Sequence, residues 1–296
     1  MTAARQAALA QVLLWVVPAL WSSNYLIARL ANGVILPHQL AFGRWALALL
    51  LLLPFVGRGL AGRGEVWRRE WPQLLALGAL GVWICGAWVY LGGQTTSATN
   101  IALIYAATPV AITVMGVKLL HERMSLAQRA AVAAALAGVL FVIAKGDPVN
   151  LLEVRFVRGD AWILAAAVSW TAYSVLLKRW PSSLGAGQRL VAIIAGGLLV
   201  LLPFTVWEVA TQPAPPLGGQ ALLLVVLAAV LPGALSYGAY SFLQRELGAS
   251  RTALLLYLAP LYGALGAWLV LGEVPGWTHA AGAALILPSI WLATRR

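Results

Sequence analysis

One stretch of this chain occurs twice, and the pair constrains the fold more than any other feature. The first copy runs from Ala98 through Pro109 to Glu122, the second from Ala249 through Pro260 to Glu273. The two prolines are 151 residues apart, as are the two glutamates and the pairs Ala102–Leu103 and Ala253–Leu254. In each copy small residues lead into an apolar helical run, a proline interrupts it about halfway, and a lone glutamate closes it. A long pattern repeated in one register marks a duplicated unit.

The apolar runs fix what kind of unit this is. Hydrophobic residues make up 61% of the 296 residues and charged residues 10%. A soluble domain carries about 25% charged residues, so this chain cannot cover a water-facing surface. Hydropathy and breaker residues predict ten spans of bilayer-crossing length, at 9–30, 38–56, 72–92, 98–120, 126–144, 159–179, 186–207, 219–243, 249–271 and 277–294. Two interruptions stand out, the polar Lys145–Asp160 stretch and the proline-rich Thr211–Gly219. The first separates five spans from five. This gives a repeat over 1–146, a linker over 147–158 and a second repeat over 159–296. Trp21 and Trp170 are 149 apart, as are Pro54 and Pro203, each proline predicted to end the second helix of its unit. Because five is odd, the second repeat enters from the opposite side. The expected fold is an all-α membrane protein of ten transmembrane helices in two inverted-topology five-helix repeats.

The formal charge of +11 raises the question of nucleic acid. With a cytoplasmic N-terminus, fifteen of the 20 Lys and Arg fall in cytoplasmic segments, among them Arg58, Arg63, Arg68, Arg69, Lys118, Arg123, Lys178, Arg179, Arg295 and Arg296. Four fall on the other side: Arg29, Lys145, Arg155 and Arg158. That split follows the positive-inside rule, places both termini in the cytoplasm, and accounts for the basic charge without nucleic acid. The single Cys85 excludes an intrachain disulfide and reads as core packing. The run from Leu9 to Ala28 is long for a signal peptide and lacks a cleavage pattern, so it reads as the first span.

Catalytic motifs are wanting. Gly57–Gly62 spells G-x-G-x-x-G, but it lies in a basic loop between spans rather than between a strand and a helix. His121-Glu122 begins like a zinc-protease motif, yet Ser125 stands where the second histidine belongs. Neither an enzyme, a metal nor a cofactor is expected. All nine acidic residues fall in loops or near helix ends, away from the mid-membrane positions where carriers place proton relays. Arg44, inside the second span, either anchors a substrate carboxylate, joins a gating pair, or snorkels to the outer interface. Glu122 and Glu273 either pair with basic residues to lock an access state or cap and solvate a helix end. The small-residue series Ala130, Ala134, Gly138 and Gly276, Ala280, Ala284 predicts close helix packing or a dimer face. The chain is thus a monomer or a weak homodimer.

Aromatic residues divide in two. Trp67, Trp71, Trp180, Trp207, Trp277 and Trp291 sit at span ends, as an interfacial belt requires. Trp21, Tyr25, Trp83, Trp88, Tyr105, Trp170, Tyr173, Tyr237, Tyr240, Tyr257 and Tyr262 lie well inside spans. A tyrosine hydroxyl at that depth needs a partner or a wet cavity, and Asn24 with several Ser and Thr lies on the same helices. Spans 1, 3, 4, 6, 8 and 9 therefore read as the walls of a central cavity. Pro109 and Pro260 supply hinge points and free the carbonyls of Tyr105 and Leu256.

Leu20-Trp21-Ser22, Thr108-Pro109 through Leu120-His121-Glu122-Arg123, and Ala259-Pro260 through Leu271-Gly272-Glu273 together resemble the drug/metabolite transporter superfamily, EamA type, over essentially the whole chain. Within it, Trp170-Thr171-Ala172-Tyr173-Ser174, Tyr257-Leu258-Ala259-Pro260 and the tail Ile290–Arg296 look like the YddG-like amino-acid exporters. The resemblance implies a bacterial inner-membrane exporter whose partners are the lipid bilayer and small amphipathic substrates, aromatic amino acids among them. Substrate would bind at the midplane through Trp21, Asn24, Tyr25, Trp83, Tyr105, Trp170, Tyr173, Tyr237, Tyr240 and Tyr257. Export of cationic drugs or other metabolites is the alternative, with a lipid flippase or membrane enzyme behind it.

Overall fold

The computed structural model describes residues 3–56, 64–96, 98–271 and 274–294. The G-x-G-x-x-G stretch and Glu273 lie outside the described residues, and so does the Tyr25 side chain. All regular structure among the described residues is helical. The elements are α1 (Ala3–Ala31), α2 (Pro37–Val56), α3 (Gly64–Gly93), α4 (Ala98–Ala106), α5 (Thr108–Leu119), α6 (Leu126–Ile143), α7 (Arg158–Arg179), α8 (Ala186–Thr211) and α9 (Gly219–Leu247). Then come α10 (Ala249–Ala253), a 3₁₀ segment (Leu254–Leu258), α11 (Ala259–Leu271) and α12 (Trp277–Thr294). Among the described residues, eight helical stretches are long and apolar enough to cross a membrane: α1, α2, α3, the α4–α5 pair, α6, α7, α8 and α9. The chain is a multi-pass helical membrane protein.

Several boundaries differ from expectation for identifiable reasons. The basic loop predicted over 57–71 is shorter, because α3 begins at Gly64 and its first turns are polar. Glu70 is helical there, and its carboxylate accepts hydrogen bonds from Ser182 and from the amide and hydroxyl of Ser183. Pro203 does not end its helix; α8 runs on to Thr211, since proline removes one backbone bond without stopping a helix held by packing on both sides. The helix at Pro109 is interrupted as expected, with a turn at Ala107 between α4 and α5. At Pro260 the break is the 3₁₀ segment. It closes the gap locally, because the Leu256 carbonyl, predicted to be free, accepts from the Ala259 amide.

Glycines bring helices into direct backbone contact, which is how apolar helices associate where no hydrophobic effect drives them together. A Cβ on Gly78 in α3 would lie 2.6 Å from the Ile193 carbonyl oxygen and 2.7 Å from the Gly197 Cα of α8. Helices α6 and α12 pack on each other, where a Cβ on Gly138 would lie 2.8 Å from Ile286 and 3.2 Å from the Gly282 carbonyl oxygen. The buried line on α6 is Ala131, Ala135 and Gly138, not Ala130 and Ala134, which are not buried. Its counterpart on α12 is Thr278, Gly282 and Ile286. The helical phase at this contact is set by the partner helix, and the buried line lies one residue from the expected series on α6 and two on α12.

Two π-helical segments, Ala79–Ile84 in α3 and Ala229–Leu235 in α9, place backbone acceptors at the centre of the molecule. In an α-helix the Cys85 amide would bond the Gly81 carbonyl, and the Ser236 amide that of Pro232. Here the Cys85 amide reaches Leu80, and the Ser236 amide reaches Leu231 and Gly233. Gly81 and Pro232, themselves 151 residues apart, therefore keep carbonyl oxygens free for side chains from elsewhere.

Candidate functional site: a central aromatic cavity

A cavity of about 90 Å³ of space open to water-sized solutes lies where α1, α2, α3, α4, α7, α9 and the 3₁₀ segment converge. Trp21 and Asn24 face it from α1, Arg44 from α2, Cys85 from α3, Tyr105 from α4, Trp170 from α7 and Tyr237 from α9. The walls are those expected from the aromatic pattern, with α2 added through Arg44.

Trp21, Trp170 and Tyr237 form a mutually edge-on trio, with Trp21 to Trp170 at 5.2 Å, Trp170 to Tyr237 at 5.5 Å and Trp21 to Tyr237 at 6.1 Å between ring centroids. Edge-on geometry sets the positive rim of one ring against the negative face of another and leaves further faces open to a ligand. Tyr240 and Tyr173 form a layer behind: Tyr240 lies 5.0 Å from Trp170, and Tyr173 stacks on it at 5.2 Å. The Tyr240 hydroxyl pairs with that of Ser174 at 2.9 Å and accepts from Gln244, so this layer supports the trio rather than lining the space. The Tyr237 hydroxyl donates to the freed Gly81 carbonyl at 2.9 Å.

Arg44 does not snorkel. Its side chain is buried, 3% exposed, because the interior satisfies it. Nη2 donates to the freed Pro232 carbonyl at 2.8 Å, and Nη1 donates to the Tyr90 hydroxyl at 3.3 Å and to Asn24 Oδ1 at 3.5 Å. Tyr90 in turn donates to Asn24 Oδ1 at 2.6 Å. The guanidinium also lies 4.6 Å over the Trp45 ring, a cation–π contact. Among the described residues no carboxylate pairs with it.

Other predicted site residues stand elsewhere. Trp83 stacks on Phe204 at 4.1 Å and meets Trp88 edge-on, on the flank of the bundle away from the cavity. Tyr257 lies within the 3₁₀ segment, fully buried, and its hydroxyl has no partner. Pro109 and Pro260 sit at the helix breaks and do not line the space. Glu122 caps a helix: its carboxylate accepts from the Ala249 amide at 2.7 Å and the Ser250 amide at 2.9 Å, joining the end of α5 to the start of α10.

Sequence reasoning missed Tyr90, Trp45 and the Pro232 carbonyl, and read Cys85 as packing although it faces the cavity. Pro232 mid-span beside Gly233 was the available signal for the backbone acceptor. Two carboxylates assigned to helix ends prove deeply buried. Glu208, 1% exposed, receives the His38 amide and Nδ1, each at 2.8 Å, and the Gln39 amide at 3.2 Å. Asp160 receives Thr96 Oγ1, Asn100 Nδ2 at 2.7 Å and the Val157 amide at 2.6 Å. Neither lines the cavity.

A multi-pass protein, helical throughout its described regular structure, with an amphipathic cavity between its helices belongs to the class of small-solute membrane transporters. The chain belongs to the EamA-like transporter family, whose pattern it matches twice, over residues 9–144 and 157–295. An uncharacterised transporter of Archaeoglobus fulgidus is 23% identical over 94% of both chains. A probable terminal-alkyne amino-acid exporter of Streptantibioticus cattleyicolor is 29% identical over 77% of this chain and 74% of that one. A solved crystal structure superposes with a TM-score of 0.74 over 96% of both chains at 21% identity, a likeness of fold.

Proposed function

We propose that the protein is a secondary exporter of small amphipathic metabolites, amino acids including aromatic ones above all, working by alternating access around the central cavity. The observation that carries this reading is the cavity lining itself, in which Trp21, Trp170 and Tyr237 share one space with Arg44 and Asn24, the latter two tied to each other and to Tyr90 by hydrogen bonds. Aromatic faces hold an apolar side chain, and the polar group holds the charged end. The relative in Streptantibioticus cattleyicolor, a probable terminal-alkyne amino-acid exporter, is consistent with this.

In this reading the α10–α11 composite and α12 complete a count of ten spans, arranged as two inverted repeats over 1–146 and 159–296. The double family match and the recurrence of helix breaks and π segments about 150 residues apart support it. Both termini lie in the cytoplasm of a bacterial inner membrane, as the Lys and Arg distribution favours. Pro109 and Pro260 mark weak points at which the repeats bend. Glu122 joins them at one end, and its counterpart Glu273 is assigned the matching role at the other. Substrate moves down its own gradient with weak proton coupling at most, since Glu208 and Asp160 are saturated with donors and stand away from the cavity. Export of cationic drugs is disfavoured by the positive charge of Arg44 in the binding space.

The test is counterflow of radiolabelled phenylalanine and leucine in proteoliposomes, with Trp170→Ala and Tyr237→Ala as comparisons. Saturable exchange lost in both variants supports the reading. If no amino acid exchanges, the function is wrong and the family assignment stands.

A further inference from the structure

The cavity holds one full positive charge and no negative one, and its polar groups are unevenly used. The two freed backbone carbonyls and the Asn24 amide oxygen around Arg44 each already receive at least one donor. The Pro232 carbonyl takes Nη2, and Asn24 Oδ1 takes both Tyr90 and Nη1. The Gly81 carbonyl takes Tyr237, and the Leu256 carbonyl takes an amide of its own 3₁₀ segment. Donors are left over. Arg44 Nε and Trp170 Nε1 are buried without a partner, and the two donors on Asn24 Oδ1 turn its amide nitrogen into another. Buried charge and buried orphan donors each cost free energy that an incoming acceptor recovers.

We infer, resting on the transport reading above, that this site selects its substrates by a carboxylate bound at Arg44 and makes no use of an ammonium group. The chemical class it takes is aryl and alkyl carboxylates of amino-acid size. N-acylated amino acids and 2-hydroxy or 2-oxo acids serve as well as the free amino acids. A planar guanidinium with neutral partners offers a carboxylate charge-assisted bonds that hold in a dry cavity. An ammonium in the same space meets that positive charge, acceptors already shared with other donors, and no acidic side chain among the lining residues. Only the faces of Trp21 and Trp170 attract it, weakly, in the presence of the guanidinium.

The experiment measures binding by quenching of tryptophan fluorescence in nanodiscs and, in parallel, competition against phenylalanine counterflow. The probes share one ring: phenylalanine, N-acetylphenylalanine, 3-phenylpropanoate, phenylalanine amide and phenethylamine. The three carboxylates should bind within a few-fold of one another, and the two cations about 10- to 100-fold more weakly, the loss expected for hydrogen bonds to a charged group. Arg44→Gln should erase the difference by weakening only the carboxylates, while Arg44→Lys should keep part of it. Phenethylamine binding as well as 3-phenylpropanoate to the unaltered protein would overturn the assignment of Arg44. Tight phenylalanine binding with no N-acetylphenylalanine binding would overturn the dispensable ammonium. Both failures leave amino-acid export intact, whereas absence of binding and exchange for all five probes overturns that reading as well.

Discussion

Removing the Glu208 carboxylate tests how far buried backbone capping, rather than helix propensity, holds this bundle together. Glu208 comes from the last turns of α8 and sits over the start of α2. There the His38 and Gln39 amides have no carbonyl of their own helix to reach. The carboxylate takes both amides and His38 Nδ1. At 1% exposure no water can replace it. Glu208→Ala therefore orphans three donors at once, a loss of about 3–5 kcal/mol by analogy with breaking one side of a buried pair. At roughly 2–4 °C per kcal/mol for chains of this order of size, the apparent Tm in detergent should fall by about 10 °C. His38→Ala keeps both amide bonds and should cost about 1–3 kcal/mol. The two residues share an interaction, so the double variant should be less destabilised than the sum of the singles, by at least about 1 kcal/mol. A Glu208→Ala Tm within about 2 °C of the parent, or strict additivity in the cycle, would refute the capping account.

The remaining predictions use contacts of other kinds. Gly78→Leu forces α3 away from the Gly197 backbone and should cost at least about 1–3 kcal/mol, with loss of monodispersity on gel filtration. Gly93→Ala, where a Cβ meets nothing within 4 Å, should leave the Tm unchanged or slightly raised. Tyr237→Phe removes the hydroxyl bond to the Gly81 carbonyl and should lower stability by about 1 kcal/mol in denaturant titration. Glu122→Ala removes the cap of α10, costing about 0.5–2 kcal/mol, and should raise amide hydrogen exchange at Ala249 and Ser250 first. Unchanged protection there would mean that these amides are held by other groups.

Elements with a strong local cause were readable in the chain. A bilayer-length apolar run needs no partner to declare itself, so eight of the ten predicted spans match crossing helices among the described residues, with ends off by up to eight residues. The helix breaks near Pro109 and Pro260 were legible from the proline itself, whose missing N–H weakens the turn before it, although at Pro203 packing carries the helix through. The aromatic walls followed from a similar argument: a tyrosine or tryptophan inside an apolar run needs somewhere to put its polar edge. The argument was coarse, however. It grouped Trp83 with Trp21 because both lie mid-span, although Trp83 faces Phe204 on the outer flank. Which side of a nearly all-apolar helix faces inward is not written in its own residues.

What the amino-acid sequence determined by itself is the class of object: helices of membrane length, a duplicated pattern and breaks at fixed places. These follow from backbone chemistry and from transfer between water and lipid, which act on each segment separately. What only the tertiary structure decided is where the charges went. Arg44 stays inside because a π segment 188 residues away along the chain turns the Pro232 carbonyl toward it. Glu208 is buried because the amides that need it begin another helix. Each placement depends on a donor and an acceptor supplied by different helices, and their meeting is a property of the packed bundle.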